Sequence, residues 1–289
     1  MKLSIIIATH DRPDSLIRLI RSLASQLRPG IHELFVAENG SSGPVALPPD
    51  LPPLKHLHDS RPGKCRIQNR AIKEAAGDIL IFLDDDLTVS KSYLDAVERF
   101  FAARAEFAGM AGRILAAEDP AAKAGANSVY LDLPIFDRGE SIVEVPGVLG
   151  ANMAFRASAL TSVGPFDERL GPGACGHEEE TEMSQRLKRA GFRTGYAPEA
   201  VVYHEVDTSR ADRERFIRVA RERGRCRMLH EHHSAFEVLT KSAVAWTRLS
   251  IARAIGAGLP RIAREERRLA VARGMFDGLG RRSRSAEPT

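Results

Sequence analysis

The chain is poor in cysteine and aromatic residues and has no long apolar run. Its 289 residues include 3 Cys and 1 Trp, and aromatic residues make up 6%. An odd cysteine count with no CxxC pair argues against a disulfide framework or a zinc knuckle. Cys65, Cys175 and Cys226 therefore read as free core thiols of a chain kept in a reducing cytosol. No stretch is long and apolar enough to span a bilayer. Met1-Lys2 leads straight into Leu3-Ser4-Ile5-Ile6-Ile7-Ala8, and polar Thr9-His10-Asp11-Arg12 closes that run too early for a secretory leader, so none is expected. A GxGxxG turn and a Walker A lysine loop are both missing, which excludes the two commonest phosphate loops. The C-terminal arginines lack interleaved aromatics, and there is no helix-turn-helix, RRM or zinc pattern, so nucleic acid is not an expected partner.

What is present fits a globular protein with a sizeable core: 43% of residues are apolar and 28% charged. The length allows one large domain, or one domain plus an extension. The net charge of +4 hides an asymmetry. Of the 42 Lys and Arg, 19 lie from Asp207 onward, with 10 of the 38 Asp and Glu. That region carries +9 and residues 1–206 carry −5. We expect a catalytic domain over 1–206 and a basic helical region over 207–289, the latter either meeting something anionic or presenting a solvated face.

Residues 1–110 alternate strand-like and helix-like segments. Leu3–Ala8 reads as a buried strand. Pro13 suits the first position of a helix whose Leu16, Leu19, Ile20, Leu23 and Leu27 recur at helical spacing. Glu33–Ala37 reads as a second strand ending in the turn Glu38-Asn39-Gly40-Ser41-Ser42. Leu54–His58 reads as a short strand, Lys64–Ala76 as a helix stopped by Gly77, and Ile79–Leu83 as a further strand. This order predicts an α/β fold with a mainly parallel central sheet and right-handed crossovers. Gly112–Val148 reads as an irregular insertion lining an acceptor site, Val148–Phe155 as a strand, and Leu170–Gly176 as a mobile glycine-rich loop. Phe192–Tyr196 and Ala200–Tyr203 read as two short strands.

Asp84-Asp85-Asp86 stand where the strand Ile79–Leu83 ends, on the rim where open α/β sheets bind ligands. Three adjacent carboxylates repel one another unless a cation or donors neutralise them. Hard divalent cations favour such oxygens and often bridge to substrate phosphates. Two readings stand: a metal–diphosphate site, or an acidic turn capping the next helix. A second acidic run, His177-Glu178-Glu179-Glu180-Thr181-Glu182, opens a helix, where the dipole stabilises carboxylates. Glu182 and Arg186 read as a surface i,i+4 pair. His204, closing a strand in a chain that already has an acidic cation site, reads as a candidate metal ligand.

In this order the segments resemble the family 2 glycosyltransferases, whose fold is GT-A, from Leu3 to about Glu205. Ala8-Thr9-His10-Asp11-Arg12-Pro13 is similar to the family's first nucleotide-contacting turn. Glu38-Asn39-Gly40-Ser41 is similar to its Asp-Asn-Gly-Ser turn. Gly63–Asn69, Gly77-Asp78 and Phe82-Leu83-Asp84-Asp85-Asp86 resemble its third helix and DXD motif. Gly150–Arg156 resembles its acceptor-side strand, Phe166-Asp167-Glu168 with Glu179-Glu180-Thr181-Glu182 its base segment, and Tyr203-His204 its C-terminal metal-ligand position. Two departures matter. Glu179-Glu180 stands where the family often has Glu-Asp, which leaves the choice of base between them open. Ile67-Gln68-Asn69 stands where it often has Ala-Arg-Asn, so Lys64 or Arg66 would replace a phosphate-contacting arginine.

The resemblance implies inverting transfer of a sugar from a UDP-, GDP- or dTDP-sugar to the hydroxyl of a sugar or lipid-linked acceptor, in cell-surface polysaccharide or glycolipid synthesis. It implies Mn2+ or Mg2+ on Asp86 and His204, and donor contacts from Thr9, Asp11, Glu38, Asn39, Lys64, Asp84 and Asp85. Glu180 would be the base, with Asn152 and Glu179 against the substrates. The processive branch's Gln-x-x-Arg-Trp motif is missing, which implies single addition. The expected place is the cytoplasm, with room for peripheral contact at the inner face of the membrane. Phe236–Leu259 mixes apolar residues with Lys241, Arg248 and Arg253, as a helix at an anionic bilayer surface does and as a helix packed on the domain does. The rival class is a GT-A-like nucleotide-sugar binding module without transfer activity, using its basic tail on nucleic acid or membrane. A sugar nucleotidyltransferase is disfavoured, because its glycine-rich N-terminal signature does not follow Ala8.

Overall fold

The computed structural model describes residues 1–284. They form two compact units, one of residues 1–117, 134–174 and 179–205, the other of 118–133, 175–178 and 206 onward.

The first unit is built on one nine-stranded sheet. Strands β1 (Leu3–Thr9), β2 (Glu33–Asn39), β3 (Lys55–Asp59) and β4 (Ile79–Asp84) lie in the order β3-β2-β1-β4 and are all parallel. A mixed half continues from β4 through β8 (Asn152–Arg156), β6 (Phe107–Ala116), β9 (Arg193–His204) and β5 (Leu87–Val89), with β7 (Val143–Val145) also on β9. Alternate residues of β1 enter different cores: Ile5 and Ile7 join one cluster with Leu16, Leu19, Ile20 and Leu23, and Ile6 joins another with Ile67 and Phe82. The first cluster is completed by helices α1 (Pro13–Ala24) and α3 (Tyr93–Ala103), the second by α2 (Lys64–Glu74), α5 (Ala157–Val163) and α6 (Glu179–Arg189). A strand covered on both faces has no polar alternation, which is why β1 is apolar throughout.

Three sequence expectations are corrected here. Gly112–Ala116 is the second half of a ten-residue strand, Phe107–Ala116, inside the sheet, not the start of an irregular insertion. Its glycines disguise it: a Cβ on Gly112 would fall 2.1 Å from Asn152 Nδ2, and one on Gly109 would fall 3.1 Å from Thr194 Oγ1. Phe192–Tyr196 and Ala200–Tyr203 are parts of one strand, β9, whose register against β6 jumps from Ala197 to Val201. Arg186 and Glu182 are not a surface pair. Glu182 is buried, and Arg186 bonds it at 2.7 Å while also donating to the carbonyls of Val163, Gly164 and Pro165, so it clamps α6 to the end of α5.

The glycine-rich loop before α6 is tied down rather than open. Lys64 N donates to Pro172 O at 2.8 Å, and a Cβ on Gly173 would lie 2.4 Å from Gly63 N.

The second unit holds the short helix α4 (Pro120–Ala124), a 3-10 turn over Gly125–Tyr130, and the long helices α7 (Arg213–His230), α8 (Ala235–Ala254) and α9 (Leu259–Arg284). Helices α7 and α9 approach until a Cβ on Gly224 would sit 2.0 Å from Val271 O and one on Gly274 would sit 1.9 Å from Arg221 O. Buried Glu266 on α9 accepts from Arg213 of α7 at 2.6 Å and Arg253 of α8 at 2.8 Å. Burial alone would raise its pKa, but those two guanidiniums outweigh it and hold it below the ordinary value. A capping box of Ser234 and Glu237 starts α8.

The expectation of three free thiols is also corrected. Cys175 and Cys226 form a disulfide, with their Cα atoms 5.6 Å apart, and Cys65 alone is a free, buried thiol. Cys175 and Cys226 are 51 residues apart, a spacing that matches no short cysteine motif. Among the described residues no helix is long and apolar enough to cross a membrane.

Candidate active site

The parallel order fixes the site. Ala8 pairs with Asp84 and Thr9 with Glu38, so the turns after β1, β2 and β4 share one rim. A fourth segment arrives from far along the chain. Leu87 pairs with His204 where β5 meets β9, and Glu205 N donates to Asp86 O at 3.0 Å.

Each aspartate has its own set of partners, and Asp85 and Asp86 share Arg12. Asp84 Oδ1 accepts from Lys64 Nζ at 2.6 Å. Asp85 accepts from Thr9 Oγ1 at 2.8 Å and from Arg12 at 3.0 Å. Asp86 accepts from Arg12 at 3.0 Å, and its Oδ1 lies 3.3 Å from His204 Nε2. Burial raises the pKa of Asp85 despite Arg12 and the Thr9 hydroxyl, and the flanking aspartates add to the rise. Arg12 itself is raised, since the pull of Asp85 and Asp86 outweighs its own desolvation.

His204 is oriented from behind. Its Nδ1 lies 2.8 Å from Glu205 O. A carbonyl only accepts, so Nδ1 carries the hydrogen and Nε2 is the atom turned toward Asp86. Asp86 Oδ1 and His204 Nε2 are thus two electron-pair donor atoms that face each other at the rim.

Lys64 links this cluster to α6. Its buried ammonium lies 3.4 Å from Glu179 Oε1 as well as bonding Asp84. Desolvation would lower its pKa, but Asp84 and then Glu179 reverse that and raise it. Gly150 marks the convergence: a Cβ there would lie 3.6 Å from Glu179 Oε1, 3.8 Å from Lys64 Nζ and 3.9 Å from the carboxyl carbon of Glu180. Glu179 is buried against Lys64, whereas Glu180, next on the same first turn, is half-buried.

Not every predicted residue faces a ligand. Asn152 is wholly buried and its amide is spent on protein: Tyr93 donates to Oδ1 at 2.7 Å, and Nδ2 donates to Arg113 O and Ala200 O. The expectation that it binds substrate is corrected on that ground. Glu38 is equally buried, accepting from Ser41 Oγ, Val45 N and His56 Nε2, so it braces the turn instead of presenting a carboxylate. Asn39 ties two segments together, donating to Thr9 O and accepting from Gly63 N. Asp11 is exposed, 3.8 Å from His10 Nε2, with a left-handed φ of 51° that is unusual outside glycine. Arg66 pairs with Glu168 at 3.4 Å, so of the two it is Lys64 that reaches the aspartates.

Arg12 is the residue that sequence reasoning missed. It occupies the N-cap of α1, where Ser, Thr, Asp or Asn is usual, and makes no cap bond. A long cation at a position that rewards a short acceptor was the available signal.

The pattern of glycosyl transferase family 2 matches residues 4–160, more than half of the chain. The chain belongs to that family. Among curated relatives, the O-antigen biosynthesis protein RfbC of Myxococcus xanthus is 29% identical over 73% of this chain and 18% of its own length. The pre-mycofactocin glycosyltransferase of Mycobacterium tuberculosis is 29% identical over 72% of this chain and 44% of its own length. This family 2 chain thus spans less than half of either relative. Among solved structures, a mannosyltransferase from Pyrobaculum calidifontis in complex with GDP-Man and Mn2+ superposes with a TM-score of 0.63 at 14% identity, over 96% of this chain and 87% of that one. At that identity the likeness establishes the GT-A fold alone.

Proposed function

We propose that this family 2 enzyme transfers one sugar, with inversion, from a nucleotide diphosphate sugar to an acceptor hydroxyl, assisted by a divalent cation. The observation that carries the reading is the meeting of Asp86 and His204 beside the Lys64–Glu179–Glu180 end of α6. It supports reading Asp86 and His204 as a cation-binding pair and Glu180 as a carboxylate base on the same rim. The donor would be a UDP-, GDP- or dTDP-sugar, and the likeness to a mannosyltransferase bound to GDP-Man favours testing GDP-sugars first.

The donor set fits Mn2+ or Mg2+. Asp86 offers oxygen and His204 a nitrogen whose tautomer is fixed by Glu205 O. Among the described residues no three His, Cys, Asp or Glu side chains are arranged to hold an ion alone. Such ions commonly combine one or two carboxylates with substrate phosphates. When bound, the cation would neutralise charge on the departing diphosphate.

The remaining work falls to the chain itself. Arg12 and Lys64 hold Asp85 and Asp84 in place at the donor end through their hydrogen bonds. The acceptor oxygen forms a bond to the anomeric carbon as the bond from that carbon to the diphosphate oxygen breaks. Glu180 takes the acceptor's proton. Its place in the first turn of α6 favours the carboxylate form. Because Glu179 is already buried against Lys64, Glu180 is the better-exposed base. The likeness to O-antigen and pre-mycofactocin proteins favours a sugar or lipid-linked acceptor in polysaccharide or glycolipid synthesis. A lipid-linked acceptor in turn favours peripheral membrane contact by the C-terminal helices.

The test is a panel of nucleotide sugars, scored by metal-dependent thermal shift and by product formation. Asp86→Ala and His204→Ala should lose the metal-dependent shift. Glu180→Gln should keep it and slow transfer by about 10²–10⁴. Near-normal turnover in Glu180→Gln would remove Glu180 as the base.

A further inference from the structure

Helices α7, α8 and α9 line an open cavity of about 590 Å³. Six of its lining residues are cationic: Arg227, Lys241, Arg248, Arg264, Arg267 and Arg268, and none is acidic. Ala245, Val271, Ala272 and Met275 give it an apolar floor, with Val244 at its rim. Some of the charge is answered from outside the lining. Arg227 bonds Glu178 at 2.9 Å, Arg268 bonds Glu265 at 2.6 Å, and Asp132 lies 3.5 Å from Arg267. Arg248 and Arg264 are exposed and have no carboxylate partner among the described residues. Burial pushes the pKa of Arg267 down, and neighbouring Arg223 adds to this against Asp132. The lining therefore carries an excess of positive charge over a greasy base.

The second observation is on α8. Val238, Ala245, Leu249 and Ala252 are buried on one side. On the other side Phe236 is 78% exposed, Trp246 60% and Ile255 60%, with Val244 and Ile251 about half exposed. This helix is apolar on its outer face as well as its inner one. Large rings and aliphatics beside unanswered arginines suit an amphiphile with a negative head. A polynucleotide would leave the aliphatic face uncovered, and a second copy of the chain would bring a rim of the same sign.

We propose that this cavity binds the phosphate headgroup of an anionic phospholipid while the outer face of α8 rests in the interfacial layer. The site deepens the membrane contact proposed above and rests on it, but it does not depend on the transfer chemistry.

The test uses the full chain with vesicles of phosphatidylcholine alone or mixed with phosphatidylglycerol. Trp246 is the only tryptophan, so its emission reports directly on α8. We expect co-sedimentation and a blue shift with the mixed vesicles, both weakened by salt. The double variant Arg248→Gln/Arg264→Gln should lower vesicle affinity about thirtyfold, from about a fivefold loss per cation near such a surface. Its melting temperature and its transfer to a soluble acceptor should not change. Phe236→Ser/Ile255→Ser should weaken binding to the same vesicles with the cations intact. Equal binding to both vesicle types, indifferent to the arginines, would keep the membrane contact and overturn the phosphate site. No binding to either would overturn both. Preference for a polynucleotide over vesicles, or a dimer whose Trp246 emission is already blue without lipid, would also overturn the proposal.

Discussion

Replacing Lys64 with methionine should cost the first unit much of its stability before any question of turnover arises. The ammonium bonds Asp84 Oδ1 at 2.6 Å and lies 3.4 Å from Glu179 Oε1, and its side chain is 9% exposed. Removing one partner of a buried ion pair costs about 3–5 kcal/mol, because the other charge stays buried. The two carboxylates are not equivalent. Glu179 is 6% exposed and loses nearly all compensation, whereas Asp84, at 31%, recovers some solvation from water. We therefore expect a loss near the low end, about 3 kcal/mol. For a unit of this size that is a fall of about 6–12 °C in melting temperature.

The companion variant separates charge from packing. Lys64→Met/Glu179→Gln also neutralises the more deeply buried carboxylate, and should regain more than half of the loss. The pH dependence has a definite sign. Asp84 and Glu179 raise the pKa of Lys64 in the folded chain. Its contribution is thus fully present below the ordinary lysine value and is lost only as pH rises through the raised one. The deficit of Lys64→Met should stay constant across about pH 6–9. A single variant that melts within about 1 °C of the parent, or a double variant no better than the single, would refute the claim that Lys64 compensates buried charge.

Three further outcomes are expected. Gly274→Ala should destabilise the second unit by about 3 kcal/mol in urea melts followed at Trp246, because its methyl would meet the Arg221 carbonyl at 1.9 Å, while Gly258→Ala, with only Pro260 Cδ at 3.9 Å, should cost no more than about 0.5 kcal/mol. Thiol titration of the denatured chain should find one thiol, Cys65, before reduction and three after; reduction should lower stability by at most about 4 kcal/mol for the 51-residue separation, and three thiols at the outset would refute the Cys175–Cys226 bond. His32 is held below its ordinary pKa mainly by burial, so its stabilisation is present above about pH 6.5 and is lost as pH falls through its folded value; His32→Gln should flatten the acid limb of a melting-temperature profile, and an unchanged limb would refute the burial argument.

The rim of the sheet was legible because parallel strands covered on both faces read as unbroken apolar runs, and the polar residues that end them then mark one edge. That logic places Thr9, Glu38 and Asp84 together before any coordinates, and β1 pairs with both β2 and β4 accordingly. It does not tell a polar side chain that presents itself from one that repairs the backbone. Asn152 shows the difference. Between Gly112 and Arg113 the β6–β9 register jumps from Ala197 to Val201, which breaks the regular ladder at that point. Asn152 Nδ2 donates to the carbonyls of Arg113 and Ala200, both at that break. Gly112 has no side chain because Asn152 fills its space. A buried carbonyl without a partner costs about 1–3 kcal/mol, so the amide is worth more to the sheet there than to a substrate. Periodicity in one strand cannot show this, because the need for Asn152 arises from a register break between two other strands. The same limit hid the Arg12 bridge and the Cys175–Cys226 bond, each defined by partners more than 50 residues apart. The polar rim is local to strand ends and its place can be read from sequence; the groups that hold it in shape are set by tertiary neighbours.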